Sequence, residues 1–380
     1  MAGIYIHIPF CKKACHYCDF HFSTSIQYKQ EIIEAIKLEL KLQKNYISNQ
    51  TIHTIYIGGG TPSILSGSDL SRILATIQEN FIVSPYAEIT LEANPDDLNN
   101  QKVKELKQTI INRFSIGVQS FFDDDLIWMN RAHQANEAEA SIKRAQDSGF
   151  TNLSIDLIYG FPLLSQQKWS NNLEKAIEYN VPHVSAYALT VEPKTALSAF
   201  IEAKKQAPLN EEQATANFLV AINTLCSTGY EHYEISNFSL PGMQSQHNTN
   251  YWKGVDYLGI GPSAHSFNGN SRQWNVANNM QYLSALAKQK IPYTLEVLTM
   301  ANKINEYIMT NLRTHWGINL DTITKSFGQP ASYHILKQVQ SYINESLIIN
   351  ENNILLLSSK GKLYADGIAA DLFVEPNFEF

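Results

Sequence analysis

Cysteine is scarce in this chain. Four occur among 380 residues, and three of them fall between Cys11 and Cys18. That leaves no disulfide framework and points to a reducing compartment. Basic charge is also short: 29 Lys and Arg stand against 36 Asp and Glu, a net charge of −7, with no long basic run. A phosphate backbone needs clustered cations, so nucleic acid is excluded as a main partner. No apolar stretch reaches the length of a membrane span, and the N-terminus lacks a charged segment followed by an apolar one. A soluble, cytoplasmic protein is expected. Low-complexity tracts and flexible linkers are missing too. With 44% hydrophobic and 17% charged residues, the chain can bury one large domain with an appendage, or two ordinary domains.

What is present begins with Cys11-Lys-Lys-Ala-Cys15-His-Tyr-Cys18, which follows a predicted strand, Ile4 to Ile8. Three closely spaced thiolates on a loop can hold three corners of a four-iron cluster and leave the fourth iron open to a ligand. A Cys3His zinc site completed by His7, His16 or His21 is the alternative. Cys226 ends a helical run that starts at Phe218 and reads as core packing.

Residues 1–230 alternate short β-branched runs with longer amphipathic segments, the pattern of repeated βα units. Further strands are predicted over Thr54 to Ile57, Glu88 to Glu92, Phe114 to Val118, Leu153 to Ile158 and His183 to Ala188. Helices are predicted at Tyr28 to Gln43 and Asn136 to Asp147 between them. Six units predict an α/β fold with a partial (β/α)6 TIM-type barrel, whose open mouth admits a bulky substrate. In such barrels function collects at the C-terminal ends of strands. After the second strand comes Gly58-Gly59-Gly60-Thr61-Pro62, at the third Glu92-Ala-Asn94-Pro95, at the fourth Gly117-Val-Gln119-Ser120, and on the fifth Asp156. The glycines serve either a tight turn or close approach of a ligand to the backbone. Glu92 and Asp156 are either solvated charges or ligands for ribose hydroxyls and an ammonium group. Arg131 is either a surface residue or the partner of a substrate carboxylate.

Taken together, Tyr5-Ile-His-Ile-Pro-Phe-Cys11, CxxxCxxC, GGGTP, Glu92, Gln119, Arg131 and Asp156 resemble the radical S-adenosylmethionine superfamily. Within it the chain resembles the branch of oxygen-independent coproporphyrinogen III oxidases and their relatives, over nearly its whole length. The resemblance implies that Cys11, Cys15 and Cys18 hold a [4Fe–4S] cluster whose open iron is chelated by S-adenosylmethionine. It places Gly59, Gly60 and Thr61 against the methionine part, with Tyr5, Glu92, Gln119, Arg131 and Asp156 lining the rest. One electron from the cluster would cleave the sulfonium to methionine and a deoxyadenosyl radical; whether that cleavage accompanies this chain's function stays open. The oxidases carry a CxxxCxxCxC pattern and a longer arm ahead of it. This chain has Phe20 at the fourth cysteine and ten residues before Cys11, so coproporphyrinogen decarboxylation is the alternative activity, not the expected one.

His247-Asn248-Thr249-Asn250-Tyr251-Trp252 is instead similar to the HNxxYW motif of the heme chaperones of this branch. An imidazole can bind heme iron and aromatic rings can pack on the macrocycle. His247 is therefore expected to contact heme, His265 is a weaker pocket candidate, and His183 and His232 read as structural. Heme, a heme donor and apo-hemoprotein acceptors are the expected partners, and heme delivery leaves room for peripheral membrane contact. Residues 231–300 read as a connecting region that carries the motif. Residues 301–380 read as a smaller α+β, winged-helix-like domain, with helices at Lys303 to Trp316, Asn319 to Phe327 and Tyr333 to Asn344 before a hairpin. Six Lys and Arg against eight Asp and Glu there suit a protein-contacting or substrate-covering role better than DNA.

Overall fold

The structure is a computed structural model that describes residues 1–47 and 50–379. Six strands run parallel: β1 (Ala2–Ile8), β2 (Ile52–Gly59), β3 (Val83–Ala93), β4 (Arg113–Gln119), β5 (Asn152–Tyr159) and β6 (His183–Ala188). They pair in sequence order. Helices intervene, among them Lys29–Leu42 where Tyr28 to Gln43 was predicted and Ala135–Asp147 where Asn136 to Asp147 was predicted.

Period two explains why these strands are richer in polar residues than a two-sided parallel sheet normally allows. The register aligns Ile57, Leu91, Phe114 and Leu153 on one face, where each is fully buried beneath the helices. The opposite face aligns Tyr5, Tyr56, Thr90 and Arg113, then Glu92, Ser115 and Ser154. Polar side chains thus fill the barrel interior, and the hydrophobic core lies between sheet and helices. The helix Gly67–Asn80 shows how the outer layer is fixed: Ser66 and Asp69 form a reciprocal capping box, and Leu70, Ile73, Leu74 and Ile77 face inward.

Residues 231–300, expected as a connecting region, contribute strands to the same sheet. On one side lie β7 (Glu231–Glu234) and β8 (Asn237–Ser239); on the other, β9 (Tyr257–Ile260) runs parallel to β1 and is followed by β10 (His265–Phe267), β11 (Ser271–Asn275) and β12 (Tyr293–Val297). The result is an open sheet of twelve strands, ordered β12-β11-β10-β9-β1-β2-β3-β4-β5-β6-β8-β7.

A second core gathers Ile304, Ile308 and Leu312 of the helix Met300–Leu312 with Ile323, Ile335, Val339, Leu355 and Leu372. Three helices and the small sheet of β13 (Ile318–Asn319), β14 (Ile348–Glu351) and β15 (Ile354–Leu357), ordered β13-β15-β14, form a winged-helix arrangement. The third helix begins at Gln329, with Pro330 in its first turn, four residues before the predicted start. Cys226 departs from expectation: it sits exposed on the helix Glu211–Ser227, whose inward positions are Phe218, Ala221 and Leu225.

Candidate functional site at the strand ends

The cysteine loop leaves β1 and is pinned at both ends. Cys11 N–H donates to Ser23 O at 3.0 Å and Ser23 N–H to Pro9 O at 2.9 Å, which closes the loop at its root. Cys11, Cys15 and Cys18 are half-buried and unpaired. Burial raises the Cys11 thiol and pushes Cys18 up to about 12, while the Thr61 hydroxyl draws Cys11 down.

The glycines at the end of β2 resolve the choice between turn and ligand approach in an unexpected way. Gly60 N–H donates to Ile8 O at 2.9 Å and Thr61 N–H to Phe10 O at 2.6 Å. A Cβ on Gly60 would lie 2.5 Å from Phe10 O, and one on Gly59, at φ 108°, 2.6 Å from the His7 ring. The missing side chains therefore let the cysteine loop itself cross the strand end. Thr61 then reaches back, its hydroxyl 3.4 Å from Cys11 Sγ.

The remaining strand ends converge on the same place. Glu92 of β3 accepts the Gly59 N–H at 3.1 Å. Burial and the nearby Asp156 push its carboxyl up to about 7, and burial pushes Asp156 itself up to about 6 against the pull of Ser185 and Arg113. Gln119 ends β4 with φ 66°, a left-handed conformation that costs a non-glycine residue of order 1 kcal/mol or more. Arg131 donates through Nη2 to Asn94 Oδ1 at 2.9 Å and Gly117 O at 2.8 Å, and through Nη1 to Cys15 Sγ at 3.4 Å. Among the described residues its buried Nε has no hydrogen-bond partner. Tyr5 of β1 hydrogen-bonds His7 Nδ1 at 3.1 Å and stacks on Tyr56.

These residues suit the cluster and S-adenosylmethionine. Three unpaired thiols share one loop, a guanidinium with an unsatisfied N–H stands beside one of them, and burial raises two neighbouring carboxyls, which a cationic ligand would draw back down. Of the histidines of the zinc alternative, His7 has both ring nitrogens bonded, to Tyr5 and His21 O, while His16 bonds Trp128 O through Nδ1 at 2.9 Å and His21 bonds Asn279 through Nε2 at 2.8 Å.

His247, expected to contact heme, is not at this mouth. It lies in the helix Gln246–Trp252 near the starts of β1 and β2, 1% exposed. Nδ1 meets Thr54 Oγ1 and Nε2 meets Tyr251 OH, both at 2.8 Å, and the ring stacks on Tyr56. Burial and Arg113 hold it neutral, its pKa lowered to about 3. Both ring nitrogens thus have hydroxyl partners. His183 and His232 are likewise buried and bonded, His183 to Ser154 and Tyr233, His232 to Ile235 O.

The later motif residues instead border a cavity of about 820 Å3 between the barrel mouth and the second core. Tyr251, Trp252, Tyr257, His265 and Phe267 line it, with Arg272 and Lys303 among its cations. Sequence reasoning missed Tyr257, Phe267, Arg272 and Lys303. The turn Asn268-Gly269-Asn270 between two short alternating runs was the available signal for their hairpin.

Residues 5–176 match the Radical SAM superfamily model and residues 298–364 the HemN C-terminal domain model. The chain is 33% identical to the heme chaperone HemW of Bacillus subtilis over 97% of its own length and 98% of that protein's. It is 31% identical to heme chaperone HemW of Mycobacterium tuberculosis over 97% and 94% respectively. The solved structure of Escherichia coli coproporphyrinogen III oxidase HemN, a radical SAM enzyme, superposes with a TM-score of 0.85 at 23% identity, covering 98% of this chain and 90% of that one, which speaks for a shared fold. The superfamily implies a [4Fe–4S] cluster and S-adenosylmethionine. A loop of three thiols crossed over a glycine-rich strand end, and relatives alike from end to end, place this chain in the radical SAM superfamily and, within it, in the HemW family.

Proposed function

We propose that this protein binds heme and passes it from a donor to apo-hemoproteins, holding a [4Fe–4S] cluster on Cys11, Cys15 and Cys18 with S-adenosylmethionine across the ends of β2 to β5. The observation that carries the heme reading is the cavity of about 820 Å3, walled by aromatic rings, rimmed by cations and bordered by Tyr251 and Trp252. It falls within the roughly 300–1,000 Å3 of sites that enclose compact organic ligands. The relatives' designation as heme chaperones supports the same reading.

When bound, the cluster and cofactor supply one-electron chemistry at a sulfonium centre. The chain's own part is placement. Arg131, already against Cys15, is the cation for a ligand carboxylate. Glu92 is the carboxylate for an ammonium group, and Asp156 beside it suits ribose hydroxyls. Gly59, Gly60 and Thr61, whose N–H groups are bonded to Glu92, Ile8 O and Phe10 O, lie beside the methionine part, Gln119 and Tyr5 close the sides, and Phe20 takes the position of a further cysteine on the cavity wall.

The test is anaerobic titration of the cluster-reconstituted protein with hemin, followed by absorption, with coproporphyrinogen III, S-adenosylmethionine and reductant offered to the same preparation. Saturable one-to-one hemin binding and transfer to an apo-hemoprotein, without decarboxylation, are expected. Decarboxylation with no saturable hemin binding would return the chain to the oxidase alternative.

A further inference from the structure

Three histidines reach the cavity, His7, His21 and His265, and they differ in what holds them. His7 uses Nδ1 on Tyr5 OH and Nε2 on His21 O. His21 uses Nε2 on Asn279 Oδ1. Among the described residues, neither ring nitrogen of His265 has a hydrogen-bond partner. The side chain is exposed toward the cavity and lies against the Trp274 ring at 5.9 Å and 22°.

Strand register explains what surrounds it. Along β10, His265 and Phe267 point the same way, and the antiparallel pairing sets His265 opposite Trp274, Phe267 opposite Arg272, and Phe267 opposite Tyr257 of β9. One face of this ribbon thus carries an imidazole, three aromatic rings and a guanidinium. The other face is locked: Gln273 donates to Gln43, while Asn275, Tyr282 and Gly261 N–H all donate to the buried carboxylate of Glu39. Opposite the open face, the helix Met300–Leu312 turns Lys303, Glu306, Tyr307 and Thr310 to the cavity and Ile304 and Ile308 to the second core. Arg272 is paired with Glu306, and Lys303 is held by Asn270 Oδ1 at 2.8 Å. Around the whole wall Lys253, Arg272 and Lys303 outnumber Asp19 and Glu306.

An imidazole with open nitrogens, flat apolar walls and excess cations at the rim match an iron tetrapyrrole's metal, ring and propionates respectively. We infer that His265, rather than His247, supplies the axial nitrogen to heme iron in this cavity, with Lys303 and Arg272 meeting the propionates. This rests on the heme reading above. Burial and Arg272 lower the His265 pKa, which keeps the imidazole neutral and able to ligate near pH 7.

The experiment uses the full-length, cluster-reconstituted protein and two probes, hemin and metal-free protoporphyrin IX. His265→Ala should weaken hemin by at least about tenfold and abolish the imidazole-ligated absorption and magnetic circular dichroism bands, yet leave protoporphyrin binding within about twofold. Added imidazole should restore the bands to His265→Gly. Lys303→Gln combined with Arg272→Gln should weaken both probes. A parent-like hemin spectrum and affinity in His265→Ala, with loss in His247→Ala, would overturn the assignment and leave heme binding standing. A parent protein that binds neither probe would overturn the heme reading itself.

Discussion

Glu92 shows how a single residue carries both the site and a measurable cost. Folded, its carboxyl keeps a proton to about pH 7; its ordinary pKa is 4.5. Between those values the folded state binds more protons than the unfolded one, so stability falls as pH rises through that window and stays lower above it, by on the order of 1–3 kcal/mol. Glu92→Gln keeps an acceptor for Gly59 N–H and removes the ionisation. In the cluster-free protein the variant should match the parent near pH 4 and exceed it at pH 8, read from urea unfolding at each pH. A stability difference independent of pH would show that Glu92 does not titrate there. Gly60 makes the complementary prediction. Gly60→Ala forces a methyl into Phe10 O and should cost about 1–3 kcal/mol, with cluster content falling in reconstitution assays because the loop's root moves. Parent-like iron content would contradict it. That Cys11, Cys15, Cys18 and Glu92 sit at strand ends was legible from the βα pattern, whereas Arg131 stood out only through the family resemblance. The place of His247 was not legible, since its environment is made by Thr54 and Glu88, about 190 and 160 positions away, and nothing local reports those contacts.

Glu88 also ties an element to the barrel, at the level where strands and helices meet. Its carboxylate accepts the N–H groups of Gln246 and His247 at 3.2 and 3.1 Å, where the helix Gln246–Trp252 begins, and faces Arg113 Nε at 3.8 Å inside the barrel. Both side chains of the pair are almost completely buried. Removing one partner strands a buried charge and two backbone donors, so Glu88→Ala should lose about 3–5 kcal/mol by denaturant titration. A loss under about 1 kcal/mol would mean that the pair is neutral or water-filled. The six parallel strands were legible because β-branched runs alternate with amphipathic helices at regular spacing. Strands β7 to β12 were not. They are three to five residues long, and on β10 and β11 the buried face carries Ser266, bonded to the Gly259 backbone, with Gln273 and Asn275, bonded into the Glu39 network, in place of the apolar signal that would mark a core strand.

At the scale of the molecule, two cores meet across one cavity. The second core is fastened to the sheet by main-chain bonds, Ile235 N–H to Arg313 O and His315 N–H to Tyr233 O, both 3.0 Å, and the helix Met300–Leu312 serves both sides. A ligand seated there touches the hairpin of β10 and β11 and that helix at once, so it should stabilise both against opening, although no single element forms the site. At free hemin about 100 times its dissociation constant, linkage supplies about 2.7 kcal/mol, on the order of a hundredfold slower amide exchange wherever opening releases the ligand. Hydrogen-exchange mass spectrometry should therefore show protection over residues 265–275 and 300–312 together, with little change in the helix Glu211–Ser227 away from the cavity. Protection at the helix Gln246–Trp252 alone would place heme at the HNxxYW helix instead. The reason to expect the paired pattern is geometric: the aromatic and basic groups that suit a tetrapyrrole are divided between a β-ribbon fixed from behind by Glu39 and a helix fixed from behind by the second core, so neither wall can hold the ligand without the other.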